Sequence, residues 1–334
     1  MQRLPKFEYH MPKSIDETLT ILNNHGREAM LVAGGTDVYP KMKRKQFRPK
    51  VLVGMKQLTD LRAIRGDHQS GMTLGASATL TEIANHPEIV QHYTGLATAA
   101  GVVSTPVLRN MGTIGGNICL DTRCNYYDQT HEWRKSINWC KKAPGDGLTS
   151  EQVPCRVAPG SPVCLAVSST DTAPMLIAMR AEITLMSAKG ERRVPVGTLF
   201  GTDGMNYMTK QPDELLTEIH LPPSNGAKTA YKKLRRRGAF DFPVLGAAVS
   251  ITANGDQVEA AKVVLGGVAS FPIEVTAAEE ALVGQTLSEE LIESVGQAAF
   301  KPARPMDNTD YHLYYRKKMV PIYVKRALKQ ALGQ

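Results

Sequence analysis

The chain has 334 residues, 42% hydrophobic and 22% charged, which excludes a disordered polymer and leaves room for two or three packed domains. The formal net charge is +8, yet the basic residues are spread, with denser runs only at 41–45 (KMKRK) and 232–237 (KKLRRR). With no aromatic stacking motif or reading helix beside them, these runs point to solvated faces or anion contacts within a complex and away from nucleic acid. No run of 18 apolar residues occurs and MQRLPKFEYHMPKS has no hydrophobic signal core, so a cytoplasmic protein with no membrane partner is expected.

Ser14-Ile15-Asp16-Glu17 has capping-box spacing, and Ile15, Leu19 and Leu22 recur at helical intervals, which predicts a helix ending near NNHG (23–26). AMLVAGGTDVYPKMKRK (29–45) reads as a short apolar strand, a tight Gly-Gly turn and a basic segment. VLVGMKQLTDL (51–61) holds another buried strand, and GMTLGASATLTEIANHPEIV (71–90) a strand, a turn and a helix from about Thr81. A helix over YTGLATAAGVVS (93–104) leads into TPVLRNMGTIGGN (105–117). Beyond a cysteine-bearing stretch, residues 171–200 predict a short helix, a hairpin at Lys189-Gly190 and a further strand. DELLTEIHLPPSNGAK (213–228) is a strand ending in a Pro-Pro-Ser-Asn-Gly break, the expected boundary between domains 1–224 and 225–334. AAVSITANGDQVEAAKVVLGGV (247–268) reads as a hairpin turning at Asn254-Gly255, followed by two helices and a basic terminal helix. The predicted class is α+β.

Two glycine turns carry the first functional signal. AGGTD (33–37) follows a strand, and TIGGN (113–117) repeats the arrangement. Glycines let the backbone approach an anion closely, and Thr36, Asp37, Thr113 and Asn117 add polar groups, so a ligand with two phosphates is indicated. Neither turn is a G-x-G-x-x-G or P-loop motif.

LVAGGTDVYPKMK, TLGASATLTEI, NMGTIGGNI and SSTDTAPMLIAM, in this order and spacing, resemble the FAD-binding subunits of the xanthine oxidase superfamily. The C-terminal LGGVASFPIEVTAAEEALVG and YRKKMVPIYVKRAL resemble the closing domain of the same family. The resemblance implies a two-subdomain FAD-binding domain followed by a three-stranded sheet with helices. It implies that Val32, Ala33, Gly34, Gly35, Thr36 and Asp37 hold the FAD pyrophosphate, and that Thr113, Ile114, Gly115, Gly116 and Asn117 form the second wall with Val103 nearby. It also implies FAD contacts from Asp171, Leu216 and a lysine of YKKL, either Lys232 or Lys233, with Lys233 preferred. The implied partners are a molybdopterin-binding large subunit and a small subunit with two [2Fe-2S] clusters, in an (αβγ)2 assembly.

All five cysteines and both tryptophans lie between Asn117 and Cys164. In a reducing cytosol such clustering suggests metal ligands before disulfides. Fifty-three residues separate Asn117 from Asp171, far more than the family's usual connection, so an insertion is expected at about 120–165. Its ligand spacing is C-x15-C-x14-C-x8-C, from Cys124 through Cys140 and Cys155 to Cys164. No C-x2–4-C pair is present other than the four residues between Cys119 and Cys124, so a zinc staple, free thiols and a [4Fe-4S] cluster all stay open on spacing alone. The resemblance orders them: the β subunit of 4-hydroxybenzoyl-CoA reductase bears a cysteine insertion for a [4Fe-4S] cluster at this place, with a shorter middle spacing. Trp139, Pro154 and Pro162 would cover the cluster, and Cys119 would pack.

The chain offers no nucleophile–base constellation, no paired carboxylates and no His-rich metal motif, and His131 is read as a solvated loop residue. The implied role is electron relay from ferredoxin through [4Fe-4S] and FAD toward the partners, for removal of an aromatic hydroxyl. Arg123, Arg134, Lys135, Lys141 and Lys142 would steer an acidic ferredoxin. The alternatives are the FAD subunit of another molybdenum hydroxylase, or a stand-alone FAD protein with a zinc-stapled loop.

Overall fold

The computed structural model describes residues 3–334. Its strands fall into three sheets, each built from a consecutive part of the chain apart from one long excursion. The first is a three-stranded parallel sheet of β1 (Glu8–His10), β2 (Ala29–Val32) and β3 (Val51–Gly54), in the order β1-β3-β2. The helix Ile15–His25 makes the crossover and buries Leu19 and Leu22. The Ser14 hydroxyl accepts from the Glu17 amide at 3.1 Å, and Gly26 at φ +49° ends the helix.

The second sheet joins β4 (Ile64–Asp67), β5 (Gly71–Gly75), β6 (Glu182–Ser187), β7 (Gly190–Pro195) and β8 (Leu215–Leu221), in the antiparallel order β4-β5-β8-β6-β7. Apolar side chains of β5, β6 and β8 form the largest core with helices Leu80–Asn85, Thr94–Gly101 and Thr172–Ala178. Thr79 and Glu82 close a capping box, so the helix expected from Thr81 begins one residue earlier.

The third sheet holds β9 (Lys228–Leu234), β10 (Leu245–Asn254), β11 (Gln257–Gly266) and β12 (Ile273–Glu274), in the order β12-β11-β10-β9. The expected three strands gain β12, only two residues long and too brief to leave an alternating pattern. Gly255 at φ +58° turns the β10–β11 hairpin. Helices Thr276–Leu282, Glu289–Ala298 and Leu313–Ala331 cover one face. The terminal helix is basic but not wholly solvated. Arg316 is fully buried, and its guanidinium donates to the carbonyls of Val244 at 3.0 Å and Met306 at 2.7 Å. Burial pushes its pKa down to about 10. Among the described residues no helix is long and apolar enough to cross a membrane.

Candidate functional site

A cleft of about 570 Å³ opens between the first two sheets, and the loop leaving β2 forms one wall. Here Gly34 lies so close to the loop before Thr113 that a Cβ would stand 2.0 Å from the Met111 carbonyl oxygen. Gly35 takes φ +70°, open to glycine at little cost. Among the described residues, no amide of Gly34 to Asp37 donates a hydrogen bond within the protein, which leaves all four free for ligand oxygens. The opposite wall is the short helix Ile114–Ile118, capped by the Thr113 hydroxyl, with Gly115 packed against Ala76. The sequence-predicted residues Ala33 to Asp37, Val103, Thr113, Gly115, Gly116, Asn117, Asp171 and Leu216 all line this cleft. Val32 and Ile114 do not. Their side chains belong to the cores behind it.

Asp171 is 2% exposed, accepts from the Tyr231 hydroxyl at 2.9 Å and pairs with Lys233 Nζ at 2.9 Å. Burial raises the Asp171 carboxyl pKa and lowers that of the Lys233 amine, each opposed by the attraction between them. Lys233 also donates to the Val102 carbonyl at 3.1 Å, so it stands behind Asp171 and outside the lining of the cleft. Alternation along β9 separates it from half-buried Lys232, which does not share this pairing. Arg123, Tyr207, Lys210 and Phe242 line the cleft without having been singled out for it. Arg123 binds Asp37 at 2.9 Å and stacks on the Phe242 ring at 3.9 Å. The doublet of aromatics in Phe240-Asp241-Phe242 was the one available signal for this contact.

The cysteine segment leaves and rejoins the fold at a single place. Asn117 Oδ1 accepts from Thr170 Oγ1 at 2.8 Å, Thr172 Oγ1 at 2.7 Å and the Thr172 amide at 3.1 Å. Arg123 and Val167 exchange backbone hydrogen bonds of 2.9 and 2.7 Å. Between these ties the chain is irregular, with one helix at His131–Ser136. Cys124, Cys140, Cys155 and Cys164 are all buried, and the other three lie near enough to Cys124 to help raise its pKa; none forms a disulfide. Burial is the main cause, pushing Cys124 up to about 12, Cys164 up to about 11, and Cys140 upward as well.

Backbone amides of Tyr126, Lys142, Ala143 and Ala166 point at these sulfurs, the last at 3.4 Å from Cys164 Sγ. Tyr126, Tyr127, Val157 and Met205 supply apolar cover. Trp139, expected in that role, instead meets His131 edge-on at 5.0 Å and presses on Gly145. His131 is thus partly buried by an indole and faces Glu132 at 3.1 Å. Among the described residues, no three cysteine sulfurs come within 4.8 Å of one another. A tetrahedral zinc site with bonds of about 2.3 Å needs its thiolates roughly 3.8 Å apart. Cys119 lies apart, partly buried against the main core and at the edge of the cleft.

Residues 5–224 match the family described as the FAD binding domain in molybdopterin dehydrogenase, and residues 229–331 the CO dehydrogenase flavoprotein C-terminal domain. The chain belongs to this family of FAD-binding subunits. It is 28% identical to the carbon monoxide dehydrogenase medium chain of Hydrogenophaga pseudoflava, over 98% of this chain and 97% of that one. It is 25% identical to the nicotinate dehydrogenase FAD-subunit of Eubacterium barkeri, again over 98% and 97%. A solved structure of the Hydrogenophaga carbon monoxide dehydrogenase superposes with a TM-score of 0.80 at 27% identity, covering 99% of both chains. The flavin, the fold and the oxidoreductase class follow from this membership. The names of the relatives span different substrates, and 4-hydroxybenzoyl-CoA is not among those two.

The charges expected to steer a ferredoxin occupy other positions in this FAD subunit. Arg134 is buried and donates to the carbonyls of Arg44 and Lys45, both at 3.2 Å. Lys141 is buried and donates to the Ser150 carbonyl at 2.9 Å. Lys142 binds Asp121 at 2.6 Å and the Gly204 carbonyl at 2.8 Å, with its side chain 7% exposed. Only Lys135 of the five is exposed. Arg134, Lys141 and Lys142 instead donate to backbone carbonyls and to the Asp121 carboxylate within the fold and are not presented to a docking partner. Lys41 of the basic run KMKRK is likewise interior: 0% exposed, it binds Asp121 at 2.8 Å and lies over the Tyr127 ring at 4.7 Å. Asp121 therefore joins Lys41 and Lys142 at the seam where cleft and cysteine cage meet.

Proposed function

We propose that this chain is the FAD- and [4Fe-4S]-bearing electron-transfer subunit of a molybdenum enzyme of the 4-hydroxybenzoyl-CoA reductase type. One observation carries the proposal: an insertion between the second wall of the flavin cleft and Asp171 gathers four buried thiols, spaced too widely for zinc and served by backbone amides. When bound, FAD would couple two-electron to one-electron transfer, and the cluster would pass single electrons.

In this reading the amides of Gly34 to Asp37 hold the pyrophosphate, and Thr113 to Asn117 form the facing wall. Asp171 binds the sugar side, braced by Lys233, while Val103 and Leu216 give apolar contact. Cys124, Cys140, Cys155 and Cys164 hold the cluster, with Lys142 and Arg134 offsetting its negative charge. Domains 1–224 and 225–334 divide the work, the first carrying both groups. A large molybdopterin subunit, a small subunit with two [2Fe-2S] clusters in an (αβγ)2 assembly, and ferredoxin as donor complete the proposal. The cytoplasm is the proposed location.

The names of the relatives favour a second reading, the FAD subunit of a molybdenum hydroxylase acting on a different small molecule. The assembled complex separates the two. Reduced ferredoxin should drive conversion of 4-hydroxybenzoyl-CoA to benzoyl-CoA; no thioester turnover, alongside hydroxylation of a heterocycle, would decide for the second. Cys155→Ser should abolish turnover with ferredoxin and remove the [4Fe-4S] share of the broad iron–sulfur absorption, leaving the [2Fe-2S] share and the flavin spectrum intact. Simultaneous loss of flavin and iron would instead mark the cysteine as merely structural.

A further inference from the structure

The sequence holds no His-rich motif, yet the fold brings two histidines and a glutamate together far from the cysteines in the chain. His68 sits in the β4–β5 turn, while Glu88 and His92 share one face of the helix Pro87–His92 at i, i+4 spacing. The His68 and His92 rings stack at 3.6 Å with 9° between planes, and His68 Nδ1 lies 3.0 Å from Glu88 Oε2. Candidate ligand atoms of all three residues lie within 4.8 Å of one another. Among the described residues the His92 ring has no hydrogen-bond partner within the protein, so its nitrogens are free to ligate.

The scaffold behind the triad is fixed. Asp67 Oδ1 accepts from the amides of Gln69 at 2.9 Å and Ser70 at 2.8 Å, which pins the turn carrying His68. The His68 amide donates to Glu88 at 3.1 Å and its carbonyl accepts from the Ser224 amide at 2.9 Å. The Tyr93 hydroxyl donates to the Pro222 carbonyl at 2.8 Å.

We infer that His68, Glu88 and His92 form a binding site for a borderline divalent cation such as Zn²⁺. Two imidazoles and one carboxylate suit that class of ion, with remaining positions open to water. Parallel rings aim their lone pairs side by side, so coordination needs one ring to rotate about its Cβ–Cγ bond, which the partial exposure of both allows. A bound ion would clamp the helix to the turn and, through Ser224 and Pro222, to the segment joining the second and third sheets.

The test is calorimetric titration of Zn²⁺ into the full chain carrying its flavin, with the cysteines unchanged in every variant. Wild type should bind one Zn²⁺ more than His92→Ala, and Glu88→Gln should weaken that additional site at least tenfold. Wild type should also melt higher with Zn²⁺ by an increment that His92→Ala lacks. Equal stoichiometry in wild type and His92→Ala overturns the inference. If His92→Ala fails to retain flavin, His92→Gln preserves the volume of the side chain and decides the matter by the same count.

Discussion

Asp121→Ala should destabilise the chain by about 3–5 kcal/mol, the usual cost of removing one partner from a buried ion pair. The carboxylate is 4% exposed and lies between Lys41 at 2.8 Å and Lys142 at 2.6 Å, both interior. Without it Lys142 keeps carbonyl and hydroxyl partners but no carboxylate among the described residues, and Lys41 keeps Asp128 at 3.4 Å. Burial alone would raise the Asp121 carboxyl, but Lys142 and Lys41 together hold it below the usual range.

The sign of the pH dependence follows. A depressed folded pKa gives stability that is complete above the unfolded value near about 4 and lost as pH falls through the folded one. Wild type and Asp121→Asn should therefore differ most in urea midpoint near neutrality and converge in acid. A gap that persists or widens in acid would refute the ion-pair account.

Gly34→Ala should weaken FAD binding by roughly two orders of magnitude, or about 2.7 kcal/mol. The added methyl would meet the Met111 carbonyl at 2.0 Å, and backbone on backbone cannot relax by turning a side chain. The loop must then move as a unit, carrying the four free amides away from the proposed pyrophosphate position. Gly160→Ala is the control, since no atom lies within 4 Å of its new Cβ. Flavin content after gel filtration reads both. A yellow Gly34→Ala protein with unchanged affinity would show that this loop does not bind the cofactor.

Much of this site was legible in the residues alone, where local rules act. The Ser14 cap, the helix start near Thr81, the Asn254-Gly255 hairpin and the AGGTD turn obey short-range sterics, and each appears within a residue of its expected position, whereas TIGGN, expected as a turn, forms a short helix capped by Thr113. Alternation along a strand is enough to set Lys233 apart from Lys232 once β9 is in register with β10. Long-range pairing left no such mark. Lys41, Arg134, Lys142 and Arg316 look like solvated cations in sequence because their partners lie far along the chain or are backbone carbonyls. The His68–Glu88–His92 triad was hidden for the same reason, as a turn and a helix of separate elements meet only in the fold.

The central claim is that the insertion between the second wall of the flavin cleft and Asp171 holds an iron–sulfur cluster. Iron, acid-labile sulfide, zinc and flavin should be measured together on anaerobically purified protein. The account predicts about four iron and about four sulfide per flavin in this chain, beyond the iron and sulfide of any [2Fe-2S] subunit bound to it. Zinc in place of iron, with no sulfide, would contradict it.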